Sequence, residues 1–341
     1  YPSPLTPRHS LLAVSVALVV QTSFLGDVIL TTPLLTELSA RGPVDVLVTP
    51  AGASVLHGHS AVRNVIVYDK RGSDRGLGGF RRLVRRLRAA NYDVAYLAQS
   101  SVRSAALAWF AGIPERIGLA DSPGKRLFTS SVPNRNDRHQ AERLWRLAFP
   151  SGDAPESMPP PSLFPGADDR AAVDALVGGE TRPLIVLAPG SAWQTKRWPY
   201  FEALATELAR DGQIVVIGGA EDVMFGEIIR VRVPDVIIAA GELSLLGSAE
   251  LIRRARVVVT NDSAPTHLAS AMGTPTVAIY GPTTPGFGFG PLAPGSRVAQ
   301  HENMPCRPCH HHGPARCPLG HWLCMVDLGV ERVAEVVRHV E

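Results

Sequence analysis

Residues 255–285, "ARVVVTNDSAPTHLASAMGTPTVAIYGPTTP", decide the fold. A β-branched run ends in a polar turn, apolar positions then recur at helical spacing, and Gly273 and Pro275 stop the helix before a second buried run. That order is one strand-helix-strand step of a parallel sheet. The turn places Asn261, Asp262, Ser263, Ala264 and Pro265 at a helix start, where unpaired N–H groups and positive potential collect. An anion fits there. Asp262, Ser263 and Thr266 are equally the residue types that cap helices from within.

The same step recurs along the chain. In the first half "AVSVALVV" (13–20), "VDVLVTP" (44–50), "NVIVYD" (64–69) and "YDVAYLAQ" (92–99) read as short strands. Between them lie helical patterns such as residues 77–92, with Leu77, Phe80, Leu83, Val84 and Leu87 on one face. Residues 149–165, "FPSGDAPESMPPPSLFP", have no period and mark a linker. The pattern then restarts with "RPLIVLAPGS" (182–191), "QIVVIGGAED" (213–222), "VVVTNDS" (257–263) and "PTVAIYGPT" (275–283). The expected fold class is α/β, two doubly wound domains facing a central cleft. Ligands in such folds sit beyond the carboxyl ends of the strands, which here carry Asp27, Ser191 to Lys196, Glu221, and Asn261 to His267.

Composition agrees with this reading. The chain has 341 residues, 45% hydrophobic, enough for two cores of ordinary size. A net charge of +3 is too mild for wholesale nucleic-acid binding, and no nucleic-acid partner is expected. Residues 8–20, "RHSLLAVSVALVV", have a basic lead and an apolar stretch of signal-peptide length, but no small-x-small cleavage site follows. They read as the first buried strand, and the protein as soluble and cytoplasmic.

Neither a G-x-G-x-x-G turn nor a P-loop occurs, which argues against a dinucleotide oxidoreductase or a P-loop NTPase. There is also no D-x-D pair to hold a divalent metal against a diphosphate, so neutralisation would fall to the protein itself. Lys196, in "APGSAWQTKRWP" (188–199), can meet a leaving phosphate as a point charge, or be an ordinary surface lysine. Asp27, beside Gly26 in the turn after the first strand, is either the N-cap of a helix beginning near Val28 or a general base for a hydroxyl nucleophile.

"TSFLGDVILTTPLL" (22–35), "APGSAWQTKRWP" and residues 260–283 resemble the three signature blocks of the glycosyltransferase family 9 heptosyltransferases, in the family's order. The second block and the tail "CRPCHHHGPARCPLGHWLCM" (306–325) are most similar to the heptosyltransferase II type. The resemblance implies a GT-B fold of two Rossmann-like domains. It implies inverting, metal-independent transfer of heptose from ADP-heptose to a heptose hydroxyl of the lipopolysaccharide inner core, with no cofactor. It further implies that Asp27 is the base and Lys196 meets the ADP phosphates. By the same resemblance Ser263, Ala264, Thr266 and His267 lie on the phosphate-binding turn, Glu221 contacts the ribose, and Leu243 lies where the adenine is held; Ser191 and Asp262, at the strand ends, are further donor-binding candidates. Ala264 stands where the family commonly has glycine. Another GT-B enzyme with a different nucleotide sugar or acceptor, protein included, or a non-catalytic nucleotide-sugar or lipopolysaccharide binder, would share several of these features.

Three segments are expected: an acceptor domain over 1–160, a donor domain over 161–325, and a last helix over 326–341 that packs back on the first domain. Arg63, Arg75, Arg81, Arg82, Arg85, Arg86, Arg88 and Arg103 concentrate positive charge in the first domain, where an anionic acceptor or the anionic inner-membrane surface would be attracted. Arg63 and Arg103 are acceptor candidates from this set, and Arg116, in "PERIGLA" (114–120), a block that also resembles the family, is a third. Cys306, Cys309, Cys317 and Cys324 share the tail with four histidines; they are either a metal site or, as expected here, a loop of free thiols near the acceptor cleft.

Overall fold

The computed structural model of the protein describes residues 15–340; the first part of the 8–20 stretch lies outside them. Two parallel six-stranded sheets account for the architecture. The first comprises β1 (Ala17–Gln21), β2 (Val44–Val48), β3 (Asn64–Val67), β4 (Val94–Leu97), β5 (Glu115–Leu119) and β6 (Ser130–Val132), in the order β3-β2-β1-β4-β5-β6. The second comprises β7 (Leu184–Ala188), β8 (Gln213–Val216), β9 (Ile237–Ile238), β10 (Val257–Asn261), β11 (Thr276–Tyr280) and β12 (Arg297–Gln300). Its order, β9-β8-β7-β10-β11-β12, is the same winding repeated. In each sheet the strand order reverses beside the first strand, so the crevices open between β1 and β4 and between β7 and β10.

Helices α1 (Leu25–Ser39), α2 (Pro50–Val55), α3 (Gly76–Ala89), α4 (Val102–Ala111) and α5 (Gln140–Trp145) cover the first sheet. Beyond the linker, α6 (Ala167–Val177), α7 (Phe201–Leu208), α8 (Val223–Arg230), α9 (Leu245–Arg254), α10 (Ala264–Met272), α11 (Leu323–Val326) and α12 (Val330–Arg338) cover the second. α1 is apolar nearly all round because it is sandwiched: one side meets β1 and β2, another meets α5, and a third meets α10 of the other half. Pro33 within it removes one backbone donor, and Thr32 Oγ1 takes over by donating to the Ile29 carbonyl at 2.7 Å. Thr32 Oγ1 also accepts from the Ser162 N–H at 3.0 Å, which ties the linker to α1.

Three apolar clusters follow from this layering. One fills the space between the sheets, joining Val28, Leu34 and Val46 to Val186, Leu246 and Leu268. A second lies beyond the far face of the second sheet. The third packs α3 and α4 on the outer face of the first sheet through Leu83, Val84, Leu87, Leu107 and Ala108. α12 belongs to the second cluster, with Val333, Ala334 and Val337 buried against the α7 side of the second sheet. The expected return of the last helix to the first sheet is therefore corrected: its apolar face is used up at home. No described helix is long and apolar enough to cross a membrane.

Candidate active site

The carboxyl edges of the two sheets face each other across a cavity of about 770 Å³. Residues from both halves line it, and the donor candidates Ser191, Lys196, Glu221, Leu243, Asp262, Ser263, Ala264 and His267 are among them, as is Asp27. Thr266 is not. It is fully buried, with its hydroxyl 3.3 Å from the Asn261 carbonyl, and so serves the turn from within.

On the first sheet, the loop after β1 leads directly into α1. The helix begins at Leu25 with Phe24 at the N-cap, so Asp27 sits inside the first turn and the N-cap reading is corrected. Burial pushes its carboxyl up to about 6, against the opposing pull of the Phe24 N–H. Mostly ionised at neutrality yet far more basic than an ordinary carboxylate, and facing a cavity, it has the profile of a general base.

On the second sheet, Asn261 ends β10 fully buried, and its side chain bridges the crevice. Its Nδ2 donates to the Pro189 carbonyl at 2.8 Å and its Oδ1 accepts from the Trp198 N–H at 3.0 Å. The turns after β7 and β10 are thereby held as one unit. Ser263 occupies the N-cap of α10 but makes no cap bond; its hydroxyl lies 3.3 Å from both Thr260 Oγ1 and the Asn261 carbonyl. In the first turn of α10 Pro265 has no donor and the Thr266 N–H is spent on the Ser263 carbonyl at 3.1 Å, which leaves the Ala264 N–H at the positive end of the helix to meet a ligand.

Lys196 is no surface lysine. It is 8% exposed, and Nζ lies 2.6 Å from Asp262 Oδ2, which also accepts from Thr283 Oγ1 at 2.7 Å. A second Nζ proton reaches the Asp262 carbonyl at 3.3 Å, leaving the third for a ligand. Asp262 therefore acts on Lys196 and positions it. His267, buried behind them, is held neutral, its pKa lowered by desolvation to about 4; its Nδ1 has no hydrogen-bond partner among the described residues. The ring packs against Gly26, where a methyl group would lie 2.5 Å from Cδ2. At this point the two halves touch, one residue from Asp27.

The rest of the cavity is divided by polarity. Ala188, Ile217, Leu243 and Leu245 form an apolar wall suited to a flat ring, and Glu221 stands exposed beside them. Arg197 pins the Ser191 turn by donating from Nε to its carbonyl at 2.8 Å.

The tail supplies residues that the sequence reading missed. Residues 301–322 carry no helix or strand, yet His311 and His312 reach the cavity beside Phe24 and Phe287. Thr195 clamps the loop, donating from Oγ1 to the Pro314 carbonyl at 2.5 Å and accepting from Trp322 Nε1 at 2.9 Å. All four cysteines are free thiols, and Cys306 Sγ lies 4.0 Å from His321 Nε2. Among the described residues no three His, Cys, Asp or Glu side chains converge on one point as metal ligands would. The signals for Phe24, His311 and His312 were position in a signature block and histidine density; the signal for Asn261 was a polar residue at the end of a buried strand.

Two acceptor candidates lie elsewhere. Arg63 precedes β3, at the amino edge of the sheet, and its guanidinium grips Asp45 at 2.8 and 2.9 Å. Burial raises the Asp45 carboxyl, but Arg63, Tyr92 and Asn64 together hold it below its usual range. Arg116, the second residue of β5, lies at the same edge and spends its donors on the carbonyls of Leu127, Ile113 and Pro114. Both are structural there, away from the cavity. Arg103 does reach the carboxyl edge, over the Tyr68 and Phe80 rings at 5.3 and 5.8 Å. With Lys70 and Arg71 it makes a cationic rim, and Lys70, its pKa lowered by burial and these neighbours, donates to the Thr22 carbonyl at 2.7 Å.

Comparison with known proteins places these features. The family model for glycosyltransferase family 9 (heptosyltransferase) matches residues 80–321. Lipopolysaccharide heptosyltransferase 2 of Salmonella typhimurium is 32% identical over 303 residues, 82% of this chain and 86% of that protein. Lipopolysaccharide heptosyltransferase 1 of Pseudomonas aeruginosa is 32% identical over 313 residues, covering 86% of this chain and 85% of that one. The structure of the Escherichia coli ADP-heptose lipopolysaccharide heptosyltransferase II superimposes with a TM-score of 0.78 at 28% identity, over 95% of this chain and 98% of that one.

Proposed function

From the premise that the chain belongs to glycosyltransferase family 9 and is a glycosyltransferase of GT-B fold, we propose that it transfers heptose from ADP-heptose to a heptose hydroxyl of the lipopolysaccharide inner core, with inversion and without a metal. The observation that carries this reading is the opposition across one cavity of Asp27, titrating near 6, and the Lys196 and α10 anion site. Acceptor and donor halves are proposed to meet at the linker near residue 160.

Asp27 removes the proton of the attacking hydroxyl as it approaches the anomeric carbon from the face opposite the ADP. The bond to the diphosphate breaks as the new glycosidic bond forms, through an oxocarbenium-like transition state, and the configuration inverts. The charge that develops on the departing ADP meets the third proton of Lys196, the Ala264 N–H and the positive end of the α10 dipole. Asp262, already bonded to Lys196 and Thr283, sets the lysine in place. The apolar wall around Leu243 receives the adenine, and Glu221 the ribose hydroxyls.

The test is ADP release from ADP-heptose, with and without a monoheptosylated Kdo-lipid A acceptor, in EDTA. Acceptor-dependent release that Asp27→Ala abolishes is the expected result. Release that requires added magnesium would overturn the metal-free mechanism, and acceptor-independent hydrolysis alone would overturn the transfer.

A further inference from the structure

Arg63 and Arg116 are spent at the far edge of the first sheet, so neither can hold the sugar whose hydroxyl Asp27 deprotonates. The residue that flanks the base is Phe24. It caps α1 with no side-chain hydrogen bond, its N–H faces the Asp27 carboxyl, and its ring lines the cavity 63% exposed. A phenyl ring so exposed adds little to the core, whereas four residues on, Val28 begins the buried run of the helix. Across from Phe24 stands His312 of the tail, with ring centroids 6.2 Å apart and planes inclined by 55°. Short-range constraints deliver it there. Its N–H donates to His310 Nδ1 at 3.0 Å, and Gly313 lies so close to the Lys196 stem that a methyl group would come within 3.2 Å of Cε and Cγ. Thr195 holds the next residue, Pro314, by its carbonyl. His311 packs on Phe287 at 4.5 Å, and Arg143 of the first half fixes Phe287 by donating from Nη2 to its carbonyl at 2.6 Å. This aromatic end of the cavity is thus assembled from both halves.

We propose that Phe24 and His312 hold the ring of the attacking sugar, Phe24 by stacking against its C–H face and His312 by hydrogen-bonding one of its hydroxyls. Such a subsite presupposes the transfer reading and completes its acceptor side. A hydroxyl within hydrogen-bond reach of Asp27 brings its own pyranose ring beside the carboxylate, where Phe24 stands one helical turn away in the chain. One face of a pyranose is lined with C–H bonds, whose partial positive charge suits the negative face of a phenyl ring. His312, its pKa lowered by partial desolvation and by Lys196, is neutral at pH 7 and so carries one donor and one acceptor, either of which a hydroxyl can use. A nucleobase would also stack on a phenyl ring, but the apolar wall that suits one, made by Ala188, Ile217, Leu243 and Leu245, belongs wholly to the second half. Phe24, on the first half beside the base, is left for the acceptor.

Calorimetric binding of a lipid-free heptosyl-Kdo oligosaccharide to the full chain, saturated with ADP, tests the subsite without requiring turnover. Wild type is expected to bind it. Phe24→Ala and Phe24→Leu should each weaken binding by about tenfold, Phe24→Trp should keep it within about threefold, and His312→Ala should weaken it by about threefold to tenfold. ADP affinity should stay within about twofold in all four variants, because the nucleotide lies against the other half. Both side chains are exposed, so their replacement leaves the core intact. Phe24→Leu binding as tightly as wild type would overturn the stacking. An equal loss of ADP affinity would assign the ring to the nucleotide and overturn the subsite, as would wild type that does not bind the oligosaccharide. Wild type that binds it through Phe24 yet transfers no heptose would sink the transfer reading alone; transfer whose acceptor KM is unchanged by Phe24→Ala would sink the subsite alone.

Discussion

The two sheets wind identically, and at each switch point the first strand runs into a turn that opens on the shared cavity, yet the turns present opposite groups. After β1 the chain offers a lone carboxylate in a helix first turn, with no cation bonded to it and a pKa pushed up by burial. After β7 and β10 it offers a lysine with its own counter-ion and a helix start free of acids. One scaffold thus gives a proton acceptor or an anion receptor according to a few residues at a single place. Function is written in the turn, and the sheet supplies only the position.

Replacing Asp27 by Asn should break this contrast most sharply. Transfer should fall by about 10²–10⁴-fold while ADP binding, measured by calorimetry, stays within about threefold, because the base is lost and the anion site is not. The pH profile sharpens the same point. Below about 6 the carboxyl binds its proton, so kcat/KM for wild type should fall with falling pH along a limb centred there. The raised pKa also makes the ionised form a cost to folding that is absent below the ordinary value of 3.8 and complete above about 6. D27N should therefore melt higher than wild type at pH 8, with the gap closing toward pH 4.

On the other side, Lys196→Ala leaves Asp262 buried without its cation and the departing diphosphate without its donor. Transfer should drop by about 10²–10³-fold, and here ADP affinity should fall as well. If Asp27 and Lys196 variants weakened ADP binding alike, the division of labour between the two turns would be wrong.

Much of this was legible in the sequence because the interior strands are unbroken apolar runs and the site residues follow them at once. β5, β6, β9 and β12 were not found: β5 opens with Glu115 and Arg116, β6 reads Ser-Ser-Val, β9 has two residues, and β12 starts and ends polar. Three of these are sheet edges, where one-sided pairing relaxes the demand for apolar residues. Arg63 stands before β3 and Arg116 near the start of β5, the edge ligands avoid; neither the charge that singled out Arg63 nor the family-like block that singled out Arg116 says which end of a strand a residue occupies. The tail was illegible for another reason: with no period of its own, it is placed by single long-range hydrogen bonds such as Thr195 to Pro314.

Smaller effects test the remaining contrasts. Gly26→Ala should cost about 1–3 kcal/mol of stability, read by denaturant melts, since its methyl would lie 2.5 Å from Cδ2 of the buried His267 ring and force that ring to shift. Arg63→Ala should lower stability by about 1 kcal/mol through Asp45 and change the acceptor KM by less than about twofold. A large KM change would return Arg63 to the acceptor path.

The contact between Gly26 and His267 also has a mechanical reading. It is a spacer, set one residue from the reacting carboxylate. The halves are also seated on each other through the shared apolar cluster and through His139, Gln140 and Arg143, which bond to the carbonyls of Gly290, Gly288 and Phe287. The gap between base and donor site is therefore gauged by direct contact beside the reacting group, with no length of sheet in between over which an error in position could accumulate.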